Sequence, residues 1–231
     1  MTNELAGRVA IVTGAGRNIG RGIALALAAG GAAVVVNVRS NLKEAEAVAG
    51  EIERAGGKAL GVTADVADAE AVKKMVAAAV ARFGGIDILV NNAAVRAEQA
   101  FENMTLEQWR AVTGIILDGA FNCVQACLPY LKKSGAGAIV NIGGLSAHTG
   151  AARRPHVVTA KAGLIGFTRA LAHELADDKI RVNTVTPGLM AAPRPAGQPD
   201  DIASAVRFIC GPGAAFITGQ NIQVNGGTYL G

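Results

Sequence analysis

The chain has 231 residues, of which 51% are hydrophobic, 17% charged and 4% aromatic, which excludes a disordered chain and allows a large core. The net charge of +4 comes without a long Lys/Arg block, and no uncharged apolar run reaches about 18 residues, so neither a nucleic-acid partner nor a membrane span is expected. Met1 to Gly7 contains Glu4 and lacks the basic-then-apolar order of an export signal.

The elements alternate along the chain. Val9 to Val12 is an apolar run ending at Thr13-Gly14 and predicts the first strand. Ile19, Ile23 and Leu27 recur at helical spacing and stop at Gly30-Gly31. Val34 to Val36 predicts strand two, Leu42 to Ala55 a helix, Ala59 to Thr63 strand three, Asp68 to Phe83 a helix and Ile86 to Val90 strand four. A long helix follows over about Leu106 to Lys133, broken or shifted near Gly114 and Gly119. Ala138 to Ile142 predicts strand five, His156 to Ala176 a second long helix, Ile180 to Val185 strand six, Asp200 to Cys210 a helix and Asn221 to Val224 strand seven. Unbroken apolar strands alternating with helices imply a parallel sheet covered on both faces. Right-handed crossovers make it doubly wound, a Rossmann-type α/β fold of seven strands. Neither a linker nor a repeat divides the chain, so residues 1–231 read as one domain.

Cys123 and Cys127 stand four apart on an apolar helix face with no second pair, a poor zinc pattern. With Cys210 they are expected to be buried free thiols, which suits a reducing cytoplasm, and no metal site is expected.

Thr13-Gly14-Ala15-Gly16-Arg17-Asn18-Ile19-Gly20 joins strand one to helix one. Glycines let backbone approach a pyrophosphate, and a helix N-terminus offers free N–H groups and positive charge. The segment resembles the T-G-x-x-x-G-x-G loop of short-chain dehydrogenases/reductases, with Asn18 where the middle Gly usually stands. Asn tolerates a left-handed backbone, so the turn survives. Asp65-Val66 resembles the family's adenine-contacting pair, and Asn91-Asn92-Ala93-Ala94 its N-N-A-G after strand four. Arg181-Val182-Asn183 and Pro187-Gly188 resemble its strand-six signature beside the nicotinamide, and Gly219 to Gly227 its last strand. The resemblance covers nearly the whole chain and extends to 3-oxoacyl-(acyl-carrier-protein) reductase-like members. It implies that Gly14, Gly16, Asn18, Ile19, Gly20, Asp65, Val66, Asn92, Ala93, Pro187 and Gly188 hold a dinucleotide.

Strand two ends Asn37-Val38-Arg39-Ser40, without the carboxylate that an NAD site places there. Arg39 can fork onto a 2′-phosphate, Ser40 can donate to it, and Arg17 adds a second cation. Against the reading as surface arginines, this pattern points to NADP(H).

In the family, a Tyr and a Lys sit four apart on the helix after strand five, on one helix face. A Ser ends strand five, and an Asn lies on the preceding helix. The resemblance places these four roles on Ile116 (Asn), Gly144 (Ser), Val157 (Tyr) and Lys161 (Lys). Valine has no proton to give and glycine no hydroxyl, so the usual acid–base step cannot run there. Lys161 can still bind the nicotinamide ribose. Substitutes stand nearby: His148 and Ser146 in the loop after strand five, and His156 beside Val157. Each has a plain reading too, since His156 can cap a helix start and Ser146 can shape a turn. Arg153-Arg154 reads as a solvated pair or as an attractor for an anionic substrate.

Only Ala191 to Ala196 separate Met190 from Gly197, so a short lid without a helix is expected there. Three functions follow: an NADP(H)-dependent oxidoreductase of a carbonyl or alcohol with a rearranged site, a cofactor-binding sensor or partner subunit without catalysis, and lyase or hydratase work in the same cleft. Ile115, Leu117, Phe121, Val124 and Leu128 on one long helix, and Leu164, Ile165, Phe167 and Leu171 on the other, exceed what one face needs. A homo-oligomer is therefore expected, and the resemblance implies a homotetramer.

Overall fold

Each predicted strand forms, and each of the first six is followed by a helix before the next strand. The computed structural model describes residues 3–188 and 197–230. The strands are β1 (Val9–Val12), β2 (Ala33–Val38), β3 (Lys58–Thr63), β4 (Ile88–Asn91), β5 (Ala138–Ile142), β6 (Arg181–Pro187) and β7 (Asn221–Val224). The helices are α1 (Asn18–Ala29), α2 (Leu42–Arg54), α3 (Ala69–Phe83), α4 (Leu106–Thr113), α5 (Gly119–Ser134), α6 (Ser146–Thr149), α7 (Pro155–Glu174) and α8 (Pro199–Cys210). All seven strands run parallel in the order β3-β2-β1-β4-β5-β6-β7.

Alternate strand residues serve opposite faces, as the period of two requires. Ala10, Val12, Val34 and Val36 pack with Ile23 and Leu27 of α1, Val48 and Ile52 of α2, and Val206 of α8. Ile11, Val35, Leu89 and Ile139 pack with Val76 of α3, Cys123 and Cys127 of α5, and Ala172 of α7. Asp68 caps α3 by accepting from Glu70 N and Ala71 N, and Gly84 ends it at φ 89°, a backbone that suits glycine.

The break expected near Gly114 and Gly119 is a π-helical segment, Gly114–Asp118, between α4 and α5. Gly119 leans on Val66 so closely that a Cβ there would come 2.6 Å from Val66 Cγ2. By length and composition the run Leu106–Ser134 could cross a membrane. Here Cys123, Val124, Cys127 and Leu131 of that run lie buried against the sheet instead.

The oligomer-forming surplus expected on the long helices is partly used within the chain. Val124, Leu164 and Ile165 are buried, whereas Phe121 is 48% exposed.

A polar ladder crosses the otherwise apolar α5–α7 face. Asn91 Nδ2 donates to Asn141 Oδ1 (2.8 Å), Asn141 Nδ2 to Thr168 Oγ1 (2.8 Å), and Thr168 Oγ1 meets Thr184 Oγ1 (2.8 Å). All four residues are buried.

Candidate active site

The chain runs β1 to β3 in one direction, then returns to place β4 on the other side of β1. The crevice at the carboxyl ends of β1 and β4 is therefore the switch point where such sheets bind ligands. A cleft of about 790 Å³ opens there. Gly14, Gly16, Arg17, Asn18, Ile19, Gly20, Arg39, Ser40, Asp65, Val66, Asn92 and Ala93, the expected cofactor contacts of the sheet's first half, all line it.

Local hydrogen bonds explain why these residue types stand here. Thr13 Oγ1 accepts from Asn92 N and Ala93 N, both at 3.0 Å. Asn92 Nδ2 donates back to Thr13 O (2.8 Å) and Gly14 O (3.0 Å), which ties the loop after β4 to the Gly-rich loop. Asn37, buried at the end of β2, donates to Ala64 O and Val38 O. Its amide thus serves the backbone of the turns. Asn18 takes φ 48°, the left-handed conformation expected of it, and Gly14 takes φ 61°. A Cβ at Gly20 would collide with Gly14 O and come 2.5 Å from Asn92 Nδ2. The first turn of α1 has no side-chain cap and no acidic residue, so its N–H groups face the cleft without competition.

Lys161, Pro187 and Gly188 lie outside that lining among the described residues. Gly188 N bonds Val224 O at 3.0 Å, and Pro187 O accepts from Leu145 N at 3.2 Å. Lys161 is 7% exposed and donates from Nζ to Ile142 O at 2.5 Å. Burial without a carboxylate partner pulls its pKa down to about 8.

The other positions split into two groups. Ile116 and Val157 belong to one apolar cluster with Val112, Ala160 and Leu164. Gly144 lies beside Lys161, and the place of its absent Cβ is 4.0 Å from Ser146 Oγ. Lys161 and Ser146 thus both flank residue 144, the position of the missing serine. His148 turns the other way: its Nε2 meets Asn221 Nδ2 (2.8 Å) and Gln223 Nε2 (3.1 Å) of β7. Its ring also stacks on Tyr229, with centroids 5.1 Å apart. Asn221 Oδ1 accepts from Thr186 Oγ1, which points the amide nitrogen at the imidazole. His156 is 1% exposed, and its Nδ1 has no hydrogen-bond partner. The short lid expected over 191–196 lies outside the described residues.

Several lining residues escaped the sequence reading: Glu44, Arg96, Ile115 and the 197–199 segment. None follows a motif, and tertiary packing brings each to the cleft. Arg154 pairs with Glu98, and Gln99 N bonds Arg153 O (2.7 Å), so the loops after β4 and α6 are fastened together. Among the described residues, no His/Cys/Asp/Glu group could hold a metal ion.

The short chain dehydrogenase family model matches residues 8–201. A 3-oxoacyl-(acyl-carrier-protein) reductase from Synechocystis sp. is 39% identical over 243 residues, spanning 98% of each chain. One from Staphylococcus aureus is 38% identical over 240 residues, spanning 96% of this chain and 98% of the relative. A crystal structure described as that of a short-chain alcohol dehydrogenase from Sinorhizobium meliloti 1021 superposes with a TM-score of 0.92 at 35% identity, covering 98% of both chains.

Proposed function

This chain belongs to the short chain dehydrogenase family of oxidoreductases, and from that premise we propose that it binds NADP(H) and interconverts a carbonyl and an alcohol through a rebuilt acid–base site. The observation that carries this reading is the cleft at the β1/β4 switch point, which is lined by the Gly-rich loop, Arg17, Arg39, Ser40, Asp65 and Val66. The residues fit a dinucleotide. Gly14, Gly16 and Gly20 leave backbone bare where any Cβ would collide, and the uncapped start of α1 suits a pyrophosphate. Arg17, Arg39 and Ser40 would take a 2′-phosphate, Asp65 and Val66 the adenine, and Asn92, Ala93, Pro187, Gly188 and Lys161 the nicotinamide end. Bound there, the nicotinamide would supply or accept a hydride.

Lys161 is the group we assign to the proton. With its pKa near 8, it exchanges a proton close to neutral pH, and Ser146, whose Oγ is 4.0 Å from the place of a Cβ on Gly144, would donate to a substrate oxygen. The names of the relatives direct the substrate search to 3-oxoacyl chains on acyl carrier protein. Calorimetric titration with NADPH, followed by a panel of ketones and 3-oxoacyl thioesters, tests the reading. Binding with turnover that Lys161→Ala abolishes is the expected result. Absence of NADPH binding overturns it.

Ile116, buried in an apolar cluster, and Val157, half-buried against it, favour a second reading, a cofactor-binding sensor or partner subunit without catalysis. That reading requires tight NADPH binding and no turnover on the whole panel. In either case we propose a homotetramer, with Phe101, Leu106 and Phe121 at one contact and Phe208 and Phe216 at another, since all five are exposed.

A further inference from the structure

Strand β2 ends without an acid, but the fold brings one back. Glu44 stands in the first turn of α2, and side chains there lean toward the helix start, which abuts the end of β2. Asn41 Nδ2 holds Glu44 Oε1 at 3.0 Å. The other oxygen, Oε2, lies 3.0 Å from where a Cβ on Gly16 would sit, so the carboxylate covers the middle of the Gly-rich loop. Val38 Cγ1 approaches the same point to 2.8 Å, which makes Gly16, Val38 and Glu44 one wall. Arg17 follows Gly16 in the chain, Arg39 and Ser40 follow Val38, and all three line the same cleft as Glu44.

We propose that Glu44 is a cofactor-selecting residue, whose carboxylate opposes Arg17 and Arg39 so that the pocket takes the 2′-hydroxyl of NAD(H) as well as the 2′-phosphate of NADP(H). The inference rests on the reading of this cleft as a nicotinamide-dinucleotide site. A ribose hydroxyl donates to a carboxylate, whereas a phosphate dianion is repelled by it and drawn to the guanidinium groups. Selectivity is then the difference between two opposed terms rather than the product of one. Two cations against one anion leave a modest preference for NADPH.

The test is the pair of dissociation constants for NADPH and NADH, measured by calorimetry on the wild type, Glu44→Gln, Arg39→Ala and Glu46→Gln. Glu46 is an exposed carboxylate of the same helix outside the cleft, so it controls for net charge. Wild-type affinities for the two cofactors are expected within about tenfold. Glu44→Gln is expected to tighten NADPH by about tenfold at low salt without tightening NADH, an effect that shrinks as salt rises. Arg39→Ala is expected to weaken NADPH by at least as much. A ratio that Glu44→Gln moves by less than about twofold, or that Glu46→Gln moves equally, overturns the inference and leaves the cleft reading standing. A wild type that binds neither dinucleotide overturns both.

Discussion

Gly144 lies against the aliphatic stem of Lys161: a Cβ on residue 144 would sit 3.6 Å from Lys161 Cγ, an ordinary van der Waals distance. The glycine is not demanded by packing, and a serine fits. Gly144→Ser is therefore expected to leave stability within about 0.5 kcal/mol of wild type. Combined with Val157→Tyr, it puts a hydroxyl pair back around Lys161. The double variant is expected to reduce a generic ketone at least about tenfold faster than wild type, the low end of what a positioned general acid contributes. Equal rates would mean that the site has diverged beyond these two positions.

Lys161 carries a pH signature. Its pKa falls from the ordinary 10.5 to about 8 on folding, because burial penalises the charged form. Below pH 8 both folded and unfolded chains are protonated, and the fold bears the full penalty. Between about pH 8 and 10.5 the unfolded chain holds the proton and the folded one does not, so stability rises with pH. Lys161→Met lacks that rise. The stability difference between variant and wild type is expected to change by about 2–3 kcal/mol from pH 7 to pH 11, read from urea midpoints.

Gly20→Ala is expected to abolish dinucleotide binding and to cost about 2 kcal/mol or more, because the new methyl meets Gly14 O and Asn92 Nδ2 in a turn with no slack. Calorimetry and thermal melting check the two effects separately. Asn18→Gly, at φ 48°, is expected to preserve binding.

His148→Ala is expected to loosen the end of the chain rather than to remove a proton donor. The imidazole holds Asn221, Gln223 and Tyr229, so the variant should expose residues 221–230 to protease while NADPH affinity stays within about twofold. Loss of turnover with intact protection would instead place His148 at the substrate.

What could be read in the sequence was what the backbone dictates locally. Apolar runs bounded by glycine gave all seven strands, and the Gly14–Gly20 loop announced its site because close approach admits only bare backbone. Gly114 and Gly119 marked the irregular stretch without revealing its π-helical form. Glu44 and Arg96 were invisible, since nothing in their neighbours' identity shows that α2 and the loop after β4 lean over the cleft. The direction of His148 depended on β7, more than seventy residues away, and no periodicity encodes that.

The ladder Asn91–Asn141–Thr168–Thr184 closes only when β4, β5, β6 and α7 are all in register. A slip of one residue in any strand would turn its polar side chain to the opposite face and strand its partners in hydrocarbon. The chain therefore penalises misaligned intermediates more than it gains from the native bonds, and Asn91 Oδ1, buried without a partner, is the residue of that trade. Its consequence is kinetic and collective. These four elements have little freedom to open one at a time, so the half of the molecule that holds Lys161 should breathe as a single block.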